Sequence, residues 1–549
     1  MLNLKIIFAF LLILKISISC EGDLELKKSN DFIYQEISVN ELIEKYKNED
    51  LKAVDVTKEY IKRINEIDMN GPNLRSIIQI NPDAIEIAKG LDEYLKNGKL
   101  KGPLHGIPVV LKDNIDTKDK MNTTAGSRAL ANSKAIEDSH LVKNLRESGA
   151  IILGKANLSE WANFRGENST SGWSGINGQT KSPYILTRNP CGSSSGSGVA
   201  VSANLTVIGI GTETNGSIVC PSSANGIVGI KPTVGMISRS GIIPISYTQD
   251  TAGPMARTLT DAVITLNVLK GSDEKDPKTN LGVKYLKRDY TKFLKLGGLK
   301  NKRIGVYSLP LRNKLDGSPK NAEVDSLFKK AIGLIKSLGG EIIEIDFIND
   351  KSAIEHSFTV MIHEYKDGLN NYFKNLSENV KIKSIDDLID FNQKDSLELK
   401  FFNQYYLEIA NQTEGMKSKK YAESLISLNK LSKEQGIDRV MNNLNLDAII
   451  SPTGSPAWST DLLNGDNYYI GSSSPAAMAG YPNISIPMGN IHGLPVGISF
   501  FGKAWSEPTL IQIAFDFEQK SKARIIPEFK LNDDELWNTL ISILLKNKI

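Results

Sequence analysis

The sequence predicts an α/β protein: a buried sheet with helices packed around it. Three short unbroken apolar runs, Val109-Val110-Leu111, Ile151-Ile152-Leu153 and Ala448-Ile449-Ile450, sit between longer stretches with helical spacing. Apolar runs of that length, bounded by Gly, Pro or polar residues, read as strands buried on both faces. Strands of this kind alternating with helices make an α/β sheet. The composition agrees. Of 549 residues, 40% are hydrophobic and 23% charged, an ordinary globular balance that excludes a disordered or fibrous chain. The length allows two to four domains or one long α/β enzyme domain. Sixty-six basic against 63 acidic residues leave +3, too near neutrality to indicate a nucleic-acid groove. Three cysteines cannot form a disulfide framework.

Taken in order, the chain opens with Lys5, the apolar run Ile6–Leu14, then Lys15, Ser17, Ser19 and Cys20. The run is shorter than the roughly 20 residues needed to span a bilayer. A charged start, a short apolar core and small residues before a cut describe an export signal over residues 1–19. Cys20 resembles a bacterial lipoprotein acceptor; the alternative is a plain signal peptide with Cys20 incidental. The expected location is therefore periplasmic, extracellular or lipid-anchored. Residues 20–30 read as a polar tether. From Val39 to Leu95, Val39, Leu42, Ile43 and Tyr46, then Val56, Tyr60 and Ile64 recur mostly at helical spacing. Gly106-Ile107-Pro108 introduces the strand that ends at Lys112, and Val142–Ala150 is a helix leading to the strand at Ile151. Residues 273–446 are lysine-rich, and amphipathic stretches such as Ala322–Leu338 and Leu397–Asn411 predict a peripheral helical region. Core-like chemistry returns over 447–522, and residues 531–549 read as a C-terminal helix. No later stretch reads as a transmembrane helix.

Between Gly172 and Gly241 the chain is dense in Gly, Ser, Thr and Asn, yet Val199, Val201, Val207, Ile208 and Ile210 show that it packs. Its glycines serve backbone geometry rather than flexibility. Two loops of small residues stand out: Gly192-Ser193-Ser194-Ser195-Gly196, and Gly211-Thr212-Glu213-Thr214-Asn215-Gly216-Ser217-Ile218. Consecutive small residues let backbone N–H groups converge on one anion. Neither loop has the Gly-Lys-Ser/Thr ending of a phosphate loop or a G-x-G-x-x-G pattern, so an acyl oxyanion is the better fit.

These loops resemble the signature of the amidase signature family. Gly229-Ile230-Lys231-Pro232-Thr233 follows them in the family's order, and Gly106-Ile107-Pro108 precedes Lys112-Asp113-Asn114 as the family's lysine strand does. Thr123–Ser127, Asp250–Pro254 and Gly493–Gly497 also match, so the resemblance spans roughly Glu41 to Lys522, much of the lysine-rich middle excluded. It implies the amidase signature fold, a central mixed twisted sheet covered on both faces by helices, in one domain over about 31–530. It also implies a serine amidohydrolase without a catalytic histidine. Ser217 would be the nucleophile, Ser193 a bridging serine on a cis peptide and Lys112 the base. The backbone N–H groups of Thr214, Asn215, Gly216 and Ser217 would form the oxyanion hole, with Ser194 a secondary support. Asn215 stands where many relatives carry glycine, and Val219 where many carry arginine. A lysine serves as base only when neutral, which burial can bring about. Trp161, Ala162 and Trp173 are candidates for the substrate pocket, although core packing is the ordinary role of tryptophan. Asp113 and Asp250 read as structural acceptors, and Cys191 and Cys220 as buried thiols. The five histidines show no ligand spacing, so no metal and no cofactor is expected.

The matching stretches, Gly172-Trp173-Ser174 and Arg239-Ser240-Gly241 among them, sit nearest the bacterial peptide amidases, which release ammonia from peptide amides. A fatty-acid amide hydrolase and the amidase subunit of the tRNA-dependent glutamine amidotransferase are the alternatives within the family. Outside it, Gly192–Gly196 also satisfies G-x-S-x-G, which would make Ser194 the nucleophile of a Ser-His-Asp enzyme. That motif needs a preceding strand, whereas Thr187–Cys191 is polar and broken by Pro190. The expected assembly is a monomer or homodimer.

Overall fold

The computed structural model describes residues 32–531 apart from 346–347 and 349–350. The leader, the whole tether with Cys20, and the C-terminal segment beyond Leu531 lie outside them. Eleven strands form one mixed sheet. They are β1 (Ile77–Ile80), β2 (Pro108–Lys112), β3 (Ile151–Ala156), β4 (Ile208–Glu213), β5 (Val228–Lys231), β6 (Thr251–Ala256), β7 (Arg303–Tyr307), β8 (Glu341–Ile345), β9 (Ala448–Pro452), β10 (Asn483–Ile491) and β11 (Leu494–Phe501). Their spatial order is β1-β3-β2-β4-β6-β5-β10-β11-β9-β7-β8. β3, β2 and β4 are mutually parallel, as are β9, β7 and β8, while the pairs from β4 through to β9 are antiparallel.

Parallel neighbours need crossover connections, and helices of the flanking layers supply them. His140–Glu147 lies between β2 and β3, Ser195–Ser202 between β3 and β4, and Ala322–Ser337 between β7 and β8. Every residue of β2, β3, β4 and β6 is buried. This is why β2 and β3 read as apolar runs, and why the few polar side chains on these strands must find partners inside the protein. Register decides which ones meet. Val109 pairs with Ile208 and Leu111 with Ile210, so Lys112 and Thr212 emerge together at the carboxyl edge of β2 and β4.

The stretch Val39–Leu95 is not helical throughout. Helices Val39–Lys47, Ala53–Arg63 and Ala84–Leu95 are present, the first with Ser38 and Glu41 forming a reciprocal cap at its start. Between the second and third, Ile77-Ile78-Gln79-Ile80 forms β1, antiparallel to β3. Pro72 and the left-handed Asn73 and Arg75 separate this short β-branched run from the helix before it. The lysine-rich middle is likewise not wholly helical: it contributes β7 and β8 to one edge of the sheet. Leu397–Asn411 is not one helix either, since only Tyr405–Gln412 is helical. Upstream, the carbonyls of Glu398 and Phe402 accept from the buried Arg165 guanidinium at 2.6 and 3.2 Å.

Candidate active site

Lys112 ends β2 with its side chain fully buried. Its Nζ donates to Ser193 Oγ at 2.7 Å, Thr212 Oγ1 at 2.9 Å and the Thr212 carbonyl at 3.1 Å. Burial pushes the ammonium down to about 7, against the upward pull of the Asp250 and Glu213 carboxylates. The amine is thereby poised near neutrality, where a base at physiological pH has to be. Ser193 follows Gly192 across a cis peptide bond, and its carbonyl accepts from Ser159 N–H at 3.1 Å.

Ser194 opens the helix Ser195–Ser202. Its hydroxyl donates to the Thr212 carbonyl at 3.1 Å and accepts the Thr212 N–H at 3.2 Å. It braces this helix on β4. The helix approaches its neighbours so closely that a Cβ on Gly196 would lie 2.3 Å from the Ser76 carbonyl oxygen, so only glycine fits there.

The second serine sits in the turn from β4 into the helix Val219–Ala224. Gly216 takes φ +85°, a left-handed conformation natural to glycine. Side chains around the turn are held one by one. Glu213 Oε2 accepts the N–H groups of Ile218 and Val219 at 2.8 and 3.0 Å. Thr214 Oγ1 donates to Asp250 Oδ1 at 2.6 Å, while Asp250 Oδ2 accepts from Ile245 and Ser246 N–H, both at 2.8 Å. Asn215 Oδ1 accepts from Ser473 Oγ at 2.7 Å, and its Nδ2 donates to Ser474 Oγ at 3.2 Å. Among the described residues no backbone carbonyl takes the N–H of Asn215, Gly216 or Ser217, an arrangement suited to binding an anion. The two loops touch where Ser194 N–H donates to the Ser217 carbonyl at 3.2 Å. Lys112, Ser193 and Ser217 are 0%, 1% and 9% exposed, so accessibility rises in that order.

A cavity of about 880 Å³ opens beside Thr214, bounded by Ala162, Asp116, Arg239, Ile243 and Tyr372 among others. Its wall reaches Thr214 without including either serine. Of the three pocket candidates only Ala162 lines it. Trp161 is buried edge-on against Phe373 at 6.0 Å. Trp173 packs on Phe402 at 5.3 Å under the Arg165 guanidinium and faces a separate, smaller hollow. Asp113 accepts from the hydroxyl and N–H of Thr124, the structural role expected of it. Cys191 and Cys220 are buried, but they are not thiols: they form a disulfide with Cα atoms 6.0 Å apart. Three cysteines argue against a framework, not against one bridge, and nothing in the local sequence pairs them. Thr212, Glu213 and the Asn215–Ser473 contact also escape a residue-by-residue reading. The one signal for them is two polar residues closing a buried strand. Among the described residues no group of His, Cys, Asp and Glu is arranged to hold a metal ion.

The family model described as Amidase matches residues 55–511. A probable amidase of Arabidopsis thaliana is 39% identical over 511 residues, covering 92% of this chain and 94% of its own. A glutamyl-tRNA(Gln) amidotransferase subunit from Thermoanaerobacter pseudethanolicus is 33% identical over 510 residues, covering 90% and 98%. Among solved structures, the native peptide amidase of Stenotrophomonas maltophilia superposes with a TM-score of 0.86 at 44% identity, covering 91% of this chain and 99% of that one.

Proposed function

The chain belongs to the amidase signature family and is an amide-hydrolysing enzyme, and from that premise we propose that it cleaves its substrate through an acyl-Ser217 intermediate. One observation carries the reading: Lys112, buried and pushed to about 7, lies 2.7 Å from Ser193 Oγ. In the proposed sequence Ser217 Oγ attacks the amide carbonyl carbon. Its proton passes to Ser193 Oγ, whose own proton passes to the neutral Lys112 amine. The carbonyl oxygen becomes an oxyanion held by the N–H groups of the 214–217 turn; one such donor typically contributes about 10²–10³ in rate. The Lys112 ammonium then returns its proton through Ser193 to the departing nitrogen, and ammonia or an amine leaves. Water enters by the same relay and releases the acid.

For substrate we propose a peptide C-terminal amide or another small amide. The 44% identity to a peptide amidase supports this, as does a cavity that mixes apolar walls with Asp116, Arg239 and Asp250. A wall with polar groups among apolar ones suits a peptide better than a fatty chain. The Ser194 triad reading is not favoured, because that hydroxyl is buried and engaged with Thr212 on both sides. Export by the leader, with Cys20 as lipid acceptor, belongs to the same proposal; the mass of the mature N-terminus tests it. The substrate class is tested by measuring ammonia release from amidated peptides against fatty amides. Release from peptide amides at least tenfold faster in kcat/KM supports the reading, and the reverse preference overturns it.

A further inference from the structure

We propose that the Cys191–Cys220 disulfide is a positioning element of the reaction: it holds the Ser193 loop against the Ser217 loop, and full turnover requires that bond. The inference rests on the reading of Ser193 as relay and Ser217 as nucleophile. Each end of the bridge is tied into a stretch that carries one of these serines. Cys191 directly precedes Gly192-Ser193; its N–H donates to Asn189 Oδ1 at 2.8 Å and its carbonyl accepts from Ser195 Oγ at 2.6 Å. Cys220 lies three residues after Ser217, and its N–H donates to the Gly216 carbonyl at 2.8 Å. Other links between the two stretches include Ser194 N–H to the Ser217 carbonyl and Asn225 Nδ2 to the Pro190 carbonyl at 2.9 Å. Hydrogen bonds hold each loop to its surroundings, and the disulfide adds a covalent tie between the two.

Cys191 sits at φ +60°, in the left-handed region where glycine is the relaxed residue, and the bond to Cys220 is one of the ties that hold it there. The bridge is buried with Ala224 and Trp458, so its formation belongs to folding. Two thiols become one disulfide by thiol–disulfide exchange, and the donor disulfide is reduced to two thiols. The enzyme would then mature in an oxidising compartment and stay slow in a reducing one.

The test compares the wild-type enzyme with Cys191→Ala/Cys220→Ala and with Cys191→Gly, well below the melting temperature of each. Non-reducing peptide mapping of wild type should find the two cysteines in one linked pair. The double variant should lose about tenfold to a hundredfold in kcat, the size expected when reacting groups drift by about 1 Å, with KM within twofold. Cys191→Gly relaxes the backbone but breaks the bridge, and should fall alike. Full kcat in a folded double variant, or two free thiols in wild type made in an oxidising host, overturns the proposal. If the variants do not fold, wild type made in a reducing host, with both cysteines shown free by thiol counting, gives the same comparison. Fluorophosphonate labelling of wild type separates the two ideas: a label on Ser217 upholds the underlying reading whatever the bridge does, and its absence overturns both.

Discussion

Lys112 can take a proton only while its amine is neutral, and burial at the end of β2 is what brings it there. The neutral fraction grows as pH rises through about 7. The pH profile of kcat/KM should therefore climb about tenfold per unit below that value and level off above it. Asp250 and Glu213 pull the other way, holding the proton on. Asp250 is itself pushed up to about 6 by burial, against the Thr214 hydroxyl and two backbone N–H groups. In Asp250→Asn one of these charges disappears, and the rising limb should move to lower pH even as the turn it braces loosens. A limb that stays in place, or moves up, would separate Asp250 from Lys112. Lys112→Ala and Ser193→Ala should each lower kcat by about 10²–10⁴, the usual share of proton transfer, with the fold intact by circular dichroism. Ser217→Ala should cost more, because water can imitate a relay but not the nucleophile. The reverse order would exchange the two serines' roles. These residues were legible in the sequence because Gly and Ser concentrate at two places, and because a lysine closes an apolar strand. The disulfide was not, since two cysteines 29 residues apart carry no mark of their pairing.

At the level of elements, the turn joining β4 to the helix Val219–Ala224 is held by a carboxylate as well as by the packing of Ile218 against Val201, Ile227 and Met255. Glu213 Oε2 takes both N–H groups just beyond Ser217, while its Oε1 is buried without a partner. Glu213→Gln keeps an acceptor oxygen and should lose less activity than Glu213→Ala, for which about a hundredfold loss in kcat is expected from misplacement of the nucleophile. Equal losses in steady-state kinetics would assign the role to the charge instead. The buried strands β2, β3 and β9 were readable as apolar runs because both faces are covered. β1 and β8 were not. β1 is four residues long at one edge of the sheet, and β8 carries Glu341 and Glu344 among its isoleucines at the other. Edge strands face solvent and take polar residues, which conceals β8 in a lysine-rich sequence, while β1 is too short to stand out between two helices.

Over the whole molecule, the catalytic core and the lysine-rich middle are joined by a buried polar cluster. Arg165 Nη1 donates to Glu160 Oε1 at 2.9 Å and Glu398 Oε2 at 3.1 Å. Burial holds the Glu160 carboxyl well above its ordinary range despite that guanidinium. Arg165→Ala should therefore destabilise the fold by about 3 kcal/mol, the low end for breaking a buried pair, read as a lower midpoint in chemical denaturation. A change under about 0.5 kcal/mol, the scale of neutral surface substitutions, would mean that the two regions hold together by other means. The family and the α/β class could be reached from local patterns, because each motif and each buried strand is a short run of neighbouring residues. The 880 Å³ cavity could not: it gathers Asp116, Ala162, Arg239 and Tyr372 from segments spread over more than 200 residues. The proposed nucleophilic attack by Ser217 is tested by intact-protein mass after fluorophosphonate treatment, with peptide mapping: one adduct per chain is expected, on Ser217, absent in Ser217→Ala and formed more slowly in Lys112→Ala. An adduct on Ser194, or an unchanged labelling rate without Lys112, would contradict it.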